Sequence, residues 1–329
     1  MIFKRKNQDA HQVTRILYAS DFHGSEACFR KFLSAALQYQ ANVLITGGDL
    51  TGKAMIPIVH QGGGKYQGYL FGRKEEPSTP EELEKFKQTI SNVGFYPIVL
   101  EPDEAEELEA DPKKMGARFE KEMLQRTRQW LDLYAEKLGD RHIPLYFLPG
   151  NDDLFSIDDV IAEYQDRNVY NPDGKHFWLD EHHELVGMAN ANMTPWKCNR
   201  DTEEPDLERK LESLAAMLEK PRQAVMVLHV PPYNSGLDVC PELDENLQIV
   251  ARGGQVLMKP VGSPAVRKII EKVQPLLTLH GHIHEAAGHT RIGSTLAINA
   301  GSEYAEGIMK AAIINLEPTR IKGHVLISG

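Results

Sequence analysis

Residues 14–53 read TRILYASDFHGSEACFRKFLSAALQYQANVLITGGDLTGK, and this pattern indicates the architecture of the chain. Two short apolar runs, residues 16–19 and 43–46, are typical of buried strands, and each leads into a loop with aspartate and glycine. Between them, apolar residues recur at helical spacing after Ser25, which suits a helix N-cap. A strand, a helix and a second strand, with polar residues after each strand, predict an α/β fold.

The pattern changes between residues 57 and 142. This segment predicts a β-hairpin around the glycines at 62–64, an acidic helix at 80–92, a strand near 95–100 and a charged helix at about 114–138. The buried-strand pattern resumes after residue 143. We therefore interpret residues 57–142 as an inserted α+β cap, with residues 1–56 and 143–329 as the core.

Charge and composition narrow the function classes. The 329 residues carry a formal net charge of −10, which argues against nonspecific nucleic-acid binding, since that needs clustered Lys and Arg. A small phosphorylated substrate stays compatible with this net charge, because a bound metal ion reverses the local field.

Cys28, Cys198 and Cys240 are too few and too scattered for a disulfide framework. No apolar run reaches the roughly 18–20 residues of a membrane span, and the N-terminal segment has no signal-peptide core. These features predict a cytoplasmic protein.

Oxygen and imidazole donors follow five of the predicted strands. The carboxyl ends of parallel strands meet at one edge of a sheet, where ligands bind, so we expect these side chains to converge. Carboxylates and imidazoles without thiolates suit first-row divalent metals, of which manganese is favoured and Fe, Zn, Co or Ni are alternatives. Seven donors exceed the need of one ion, but they suffice for two ions that share a carboxylate. The candidate metal ligands are Asp21, His23, Asp49, Asn151, His229, His282 and His284.

The motifs around these donors occur in one order: SDFHG (20–24), GGDLTG (47–52), GNDD (150–153), LHVPP (228–232) and HGHIH (280–284). Together they resemble the calcineurin-like metallophosphoesterase superfamily and, within it, the Icc-related predicted phosphoesterases. The resemblance covers most of the chain, residues 21–284. It implies a four-layer α/β/β/α sandwich of two mixed sheets, with the short C-terminal strands in the second sheet.

The resemblance also implies a role for each donor. A hydroxide that bridges two metal ions would attack phosphorus, and Asp49 would contact both ions. The first ion would be held by Asp21, His23, Asp49 and His284, and the second by Asp49, Asn151, His229 and His282.

Position 152 departs from the family pattern, which usually has a histidine there to assist the leaving group. Asp152 beside two dications would stay ionised at neutral pH and would be a poor proton donor. Its charge should disfavour a dianionic monoester more than a monoanionic diester. Asn151 and Asp152 are the central catalytic candidates, and Asp153 is expected to orient loops. His60 is a candidate replacement acid, with a surface histidine of the hairpin as the alternative.

The sequence thus predicts a dinuclear-metal phosphoesterase whose favoured substrate is a small, nucleotide-sized phosphodiester that enters beneath the cap. A phosphomonoesterase or protein phosphatase is one alternative. A non-catalytic interaction module with the same fold is another. A DNA exonuclease is less favoured, because the sequence shows no basic stripe. The oligomeric state stays open.

Overall fold

The computed structural model describes residues 13–329. The first twelve residues of the predicted core, on which the signal-peptide prediction falls, lie outside the described residues. Within residues 13–329 the α-helices are α1 Glu26–Gln38, α2 Pro80–Asn92, α3 Pro102–Ala110, α4 Pro112–Leu138, α5 Ser156–Ala162, α6 Glu204–Ala215 and α7 Pro264–Val273. The strands are β1 Thr14–Ala19, β2 Val43–Gly47, β3 Met55–His60, β4 Tyr66–Leu70, β5 Arg73–Glu75, β6 Tyr96–Leu100, β7 Leu145–Leu148, β8 Val169–Tyr170, β9 His176–Trp178, β10 Glu184–Met188, β11 Ala191–Asn192, β12 Asp201–Thr202, β13 Val225–Leu228, β14 Val239–Pro241, β15 Ala251–Arg252, β16 Gln255–Val256, β17 Met258–Pro260, β18 Leu277–His280, β19 Gly288–Ile292, β20 Thr295–Asn299, β21 Lys310–Glu317 and β22 Arg320–Ser328.

Two mixed sheets form the centre of the molecule. In the described part of the chain, the first has six strands in the order β22-β21-β1-β2-β7-β8. Strands β1, β2, β7 and β8 run parallel, and β21 and β22 add antiparallel strands beside β1. The second sheet has the order β19-β20-β18-β13-β10-β9. Its four central strands are parallel and both of its edge strands are antiparallel.

The two sheets pack face to face. Ile16, Ile45 and Leu148 of the first sheet share one buried cluster with Val227 and Leu279 of the second. These strands are apolar on both faces, as strands covered on both sides must be. Burial of large aliphatic side chains contributes about 1.5–3 kcal/mol each, so this interface is a main source of stability.

Helices cover the outer faces of both sheets. Helices α1, α4 and α5 pack on the first sheet, where Phe29, Trp130 and Ile157 join one buried cluster. Helices α6 and α7 pack on the second, through Leu211 and Ile270. The predicted four-layer α/β/β/α sandwich is therefore confirmed.

The placement predicted for the C-terminal strands is wrong in part. Strand β20 lies in the second sheet, but β21 and β22 extend the first one. Strand β21 pairs with β1 over five residues, from Thr14 opposite Leu316 to Tyr18 opposite Ala312. An apolar strand pattern does not identify its partner, because any sheet edge offers the same backbone hydrogen bonds.

A smaller four-stranded sheet, in the order β5-β4-β3-β6, lies within residues 57–142 apart from the first residues of β3. The hairpin and acidic helix predicted there are present as β3–β4 and α2. Ile58, Leu70, Phe86 and Ile90 form a separate small core beneath them. The indole of Trp130 in α4, by contrast, stacks on Phe29 of α1 with ring centroids 4.4 Å apart. Part of the segment thus packs with the main core, and the cap boundaries 57 and 142 stay a prediction.

The small sheet contacts the loops that follow β1 and β2. Gly94 has a φ of +93°, and a Cβ there would lie 2.3 Å from the carbonyl oxygen of His23. The hydroxyl of Tyr96 accepts a hydrogen bond from the Gly52 amide at 2.7 Å. The guanidinium of Arg126 donates to the carbonyl of Gly24 at 2.8 Å. The inserted segment is therefore fixed against the predicted ligand loops.

None of the helices formed by residues 13–329 has the length and apolarity needed to cross a membrane.

Candidate metal centre

The seven predicted ligands lie in loops at the carboxyl ends of five strands, drawn from both central sheets. Asp21 and His23 follow β1, Asp49 follows β2, and Asn151 follows β7 of the first sheet. His229 follows β13, and His282 and His284 follow β18, of the second. Asp21, His23, Asp49 and His282 have positive φ values of 41–66°. Side chains at such angles cost free energy, and clusters of them are typical of functional sites.

One group of side chains can hold a metal ion: Asp21, His23 and His284. The two Nε2 atoms of His23 and His284 face each other at 3.1 Å. His284 Nε2 lies 3.4 Å from Asp21 Oδ1, and His23 Nε2 lies 3.6 Å from Asp49 Oδ2. Asp49 thus extends this group toward the second one.

The second group consists of Asp49, His229 and His282. His229 Nε2 lies 3.4 Å from Asp49 Oδ1 and 2.9 Å from Asn151 Oδ1. His282 Nδ1 lies 3.0 Å from the same amide oxygen. The two oxygens of Asp49 therefore face different groups, as a shared carboxylate would.

The protonation states suit cation binding. Burial lowers the pKa of His23 to about 3 and that of His282 to about 4, so both rings are neutral, the form that binds metals. Burial raises the pKa of Asp49, but the attraction of His229 outweighs it, and the net pKa lies well below the ordinary value. The attraction of Asp49 likewise overcomes burial at His229 and raises its pKa to about 9 in the metal-free chain. Asp49 is therefore ionised. A metal ion can replace the proton of the adjacent His229.

Hydrogen bonds at the back of the ligands orient their donor atoms. His229 Nδ1 donates to the Gly47 carbonyl at 2.7 Å, which leaves Nε2 to face the site. The Asn151 amide nitrogen donates to Asp201 Oδ1 at 2.8 Å, which turns Asn151 Oδ1 toward the histidines. Such outer partners fix ligand orientation in metal sites. Carboxylate, amide and imidazole atoms that can ligate a cation converge here, and this set of ligands fits two divalent ions.

Asp153 connects the ligand loops, as expected. Its carboxylate accepts hydrogen bonds from the amides of Leu50, Thr51 and Gly150 at 2.7–2.9 Å. The lack of a side chain at Gly150 allows the Asp49 loop to lie close, because a Cβ at residue 150 would lie 2.1 Å from Asp49 Oδ1.

Asp152 lies beside the first group and forms, with His23 and Asp49, a third set of side chains that could hold a metal ion. Several residues hold its carboxylate. Its Oδ2 is 3.9 Å from His23 Nδ1 and 3.1 Å from Lys53 Nζ. Its Oδ1 accepts a hydrogen bond from the Cys198 thiol at 2.9 Å. Sequence patterns did not reveal Lys53, Cys198 or Asp201, because these residues occur in no metal-ligand spacing.

His60 has its contacts within the inserted segment. Its Nδ1 lies 3.1 Å from Glu101 Oε2, and its ring lies 5.0 Å from that of Tyr66. Among the described residues, no hydrogen bond or ion pair connects it to the two metal-capable groups. The structure does not bring His60 together with the other candidates.

The C-terminal loop after β20 completes the wall of the first group. Ser302 donates to the Asp21 carbonyl at 2.7 Å. The ring of Tyr304 lies against His23, with centroids 4.6 Å apart, and meets His284 edge-on at 5.8 Å. In the sequence, residues 302–304 (SEY) are a short polar run with no recognisable metal-ligand or catalytic spacing. The contact of this loop with the first group could therefore not be predicted.

No protein-family model matches the chain. It is 28% identical to the uncharacterized protein MJ1162 of Methanocaldococcus jannaschii over 171 residues, which are 50% of this chain and 67% of that protein. A dimetal phosphatase from Danio rerio aligns with 95% of this chain and 98% of its own, with a TM-score of 0.45 and 10% identity. TT1561 of Thermus thermophilus aligns with 97% of this chain and 99% of its own, with a TM-score of 0.53 and 15% identity. The likeness to TT1561 shows that the two chains share a fold, an α/β sandwich of mixed sheets.

Proposed function

We propose that the chain is a phosphoesterase that requires two divalent metal ions and prefers small phosphodiesters. One observation carries this proposal: two metal-capable groups lie side by side, and the carboxylate of Asp49 faces both. The five sequence motifs that resemble those of calcineurin-like metallophosphoesterases add support.

Each ligand has a place in this proposal. Two bound ions would neutralise the charge that develops on the phosphoryl group and would activate water for attack on phosphorus. Asp21, His23, Asp49 and His284 would hold one ion, and Asp49, Asn151, His229 and His282 the other. Asp201 keeps the Asn151 oxygen directed at the site. Tyr304 packs against His23, and Ser302 holds the backbone of Asp21, on this side of the site.

The preference for diesters is the finer part of the proposal. A histidine at position 152 could donate a hydrogen bond to a phosphoryl oxygen, whereas the carboxylate of Asp152 repels such oxygens. A monoester carries up to two negative charges and a diester carries one, so the monoester is repelled more strongly. The Lys53 ammonium lies 3.1 Å from Asp152 Oδ2 and offsets part of this repulsion. A substrate with one negative charge can therefore still bind.

Hydrolysis of bis-p-nitrophenyl phosphate and p-nitrophenyl phosphate, each with manganese, tests the proposal. We expect the wild-type protein to favour the diester and to lose activity with a chelator. The Asp152→His variant should gain monoesterase activity, and Asp49→Asn should hydrolyse neither ester. A wild-type preference for the monoester would contradict the diesterase assignment. Failure to hydrolyse either ester with any first-row divalent metal would instead favour a non-catalytic interaction module.

A further inference from the structure

Lys53 lies at the end of the loop that carries the shared ligand Asp49. Its Nζ is 3.1 Å from Asp152 Oδ2, and its side chain is 48% exposed. The amide of Gly52, the preceding residue, donates to the Tyr96 hydroxyl at 2.7 Å, so the backbone that carries Lys53 is fixed. The contact with Asp152 places the ammonium group beside the site.

Asp152 is held in a way that leaves one oxygen for Lys53. The Cys198 thiol donates to Oδ1 at 2.9 Å, and the Asn199 amide donates to the Asp152 carbonyl at 3.0 Å. Burial, with added hydrogen bonding and charge from Asp152, raises the pKa of Cys198 to about 12, so the thiol keeps its proton. The carboxylate thus has its other oxygen, Oδ2, directed at Lys53.

The same oxygen connects Lys53 to the first metal-capable group. Asp152 Oδ2 lies 3.9 Å from His23 Nδ1, an atom that is buried and has no hydrogen-bond partner. The Lys53 ammonium and the His23 ring are therefore both neighbours of one carboxylate oxygen, which places Lys53 beside this side of the centre.

We propose that Lys53 binds a phosphoryl oxygen of the substrate and that Asp152 positions it for this contact. The pair would occupy the place where relatives of the resembled family have a histidine. Ammonium groups bind phosphate as compact charges with three donors, and hydrogen bonds between charged partners are the strong ones. This inference rests on the proposed phosphoesterase function, since it assigns a residue to the same site.

An exposed ion pair of no functional consequence is the competing explanation, because such pairs contribute little to stability. The surroundings argue against it. The Asp152 side chain is only 27% exposed and has a second donor in Cys198. The Asp152 carboxylate is thus held at both oxygens, by the Cys198 thiol at Oδ1 and by the Lys53 ammonium at Oδ2.

Calorimetric titration of the manganese-loaded protein with inorganic phosphate tests the inference apart from turnover. Lys53→Met removes the charge, Lys53→Arg retains it, and Lys65→Met serves as control at an exposed turn of the inserted segment. We expect Lys53→Met to weaken phosphate binding by about 10- to 100-fold, the usual effect of losing a charged hydrogen bond. Lys53→Arg should recover most of this loss, and the control should match the wild type. The manganese content should be equal in all four proteins.

Hydrolysis of bis-p-nitrophenyl phosphate by the same proteins completes the test. We expect Lys53→Met to lower kcat/KM by about 10-fold or more, with melting temperature unchanged. A wild-type enzyme that hydrolyses the diester while Lys53→Met binds phosphate equally well and retains kcat/KM would overturn the role of Lys53 and leave the proposed function intact. A wild-type protein that takes up manganese but neither binds phosphate nor hydrolyses the diester would overturn both.

Discussion

The carboxylate of Asp201 determines which atom of Asn151 faces the candidate centre. It accepts a hydrogen bond from the Asn151 amide nitrogen at 2.8 Å. The other carboxylate oxygen accepts from the Thr194 and Cys198 amides, both at 2.9 Å. Asp201 is therefore held from three directions, and the orientation of Asn151 follows from it.

We predict that Asp201→Ala weakens binding of one of two manganese ions by about 10- to 100-fold, the range found when outer partners of metal ligands are removed. Asp201→Asn should recover part of this affinity, because its side-chain oxygen can still accept from Asn151. Metal titration followed by calorimetry gives both affinities. Asp206→Ala, on the exposed side of α6, is the control. Equal weakening in Asp201→Ala and the control would show that Asn151 does not depend on Asp201.

The sequence was sufficient to identify seven side chains that converge in the structure, but not the residues that orient them. Each of the seven donors follows a recognisable buried strand, and parallel strands bring their carboxyl ends together. Asp201 is 50 positions from Asn151, and Cys198 is 46 positions from Asp152. These contacts depend on the path of a loop, and loops have no periodic pattern that fixes their path.

At the scale of elements, α4 joins the inserted segment to the main core. Trp130 is 1% exposed and lies in the cluster beneath α1. We predict that Trp130→Ala lowers the free energy of unfolding by about 3–5 kcal/mol, the usual cost of deleting a large buried aromatic side chain. Phe71→Ala, at a residue that is 67% exposed, should change it by less than about 0.5 kcal/mol. Denaturant unfolding measures both. A small effect at Trp130 would mean that α4 unfolds with the inserted segment rather than with the core.

His280, the last residue of β18, holds the neighbouring strand that carries His229. Its Nδ1 donates to the carbonyls of Leu228 and Val230 at 2.8 and 3.1 Å, and its Nε2 accepts from Thr278 at 2.9 Å. The neutral ring satisfies all of these partners without placing a charge in the buried interior. Burial lowers the pKa of His280 to about 4.

A pH dependence of stability follows from this shift. An unfolded histidine has a pKa of about 6.5, so between pH 6.5 and 4 the unfolded chain takes up a proton that folded His280 does not. The contribution of His280 to the free energy of unfolding is complete above pH 6.5. It decreases as the pH falls toward 4, by up to about 1.4 kcal/mol per pH unit. Urea unfolding of chelator-treated protein at pH 7.5 and 5 measures the loss. His280→Gln should lose less stability over that interval than the wild type, and equal losses would contradict the assignment.

The existence of the elements was easier to predict than their pairing. Helix α2 and the β3–β4 hairpin follow from a Thr79 cap, a first-turn proline and a glycine-rich turn, which are local signals. The alignment of β21 beside β1 depends on residues about 300 positions apart, such as Thr14 and Leu316. Local propensity cannot specify such a partner, since the pairing is set by packing between the two sheets.

At the scale of the whole molecule, the candidate centre connects the two central sheets. Asp21, His23, Asp49 and Asn151 come from the first sheet, while His229, His282 and His284 come from the second. The group with His284 and the group with His229 and His282 each draw on both sheets. Bound ions would therefore cross-link layers that otherwise adhere through apolar packing.

We predict that this cross-link raises thermal stability when manganese binds. A ligand present at 100 times its Kd stabilises the native state by about 2.7 kcal/mol per site, because the unfolded chain does not keep the ligands together. In a protein of 329 residues, that amounts to an increase of a few degrees in Tm. Scanning calorimetry with manganese and then with excess chelator measures the difference.

Asp49→Asn, which alters the carboxylate that faces both groups, should melt at the same temperature in both conditions. His289→Gln, at an exposed residue of β19, should respond as the wild type does. If manganese left the wild-type Tm unchanged while binding was shown by metal analysis, the ions would not be held jointly by the two sheets.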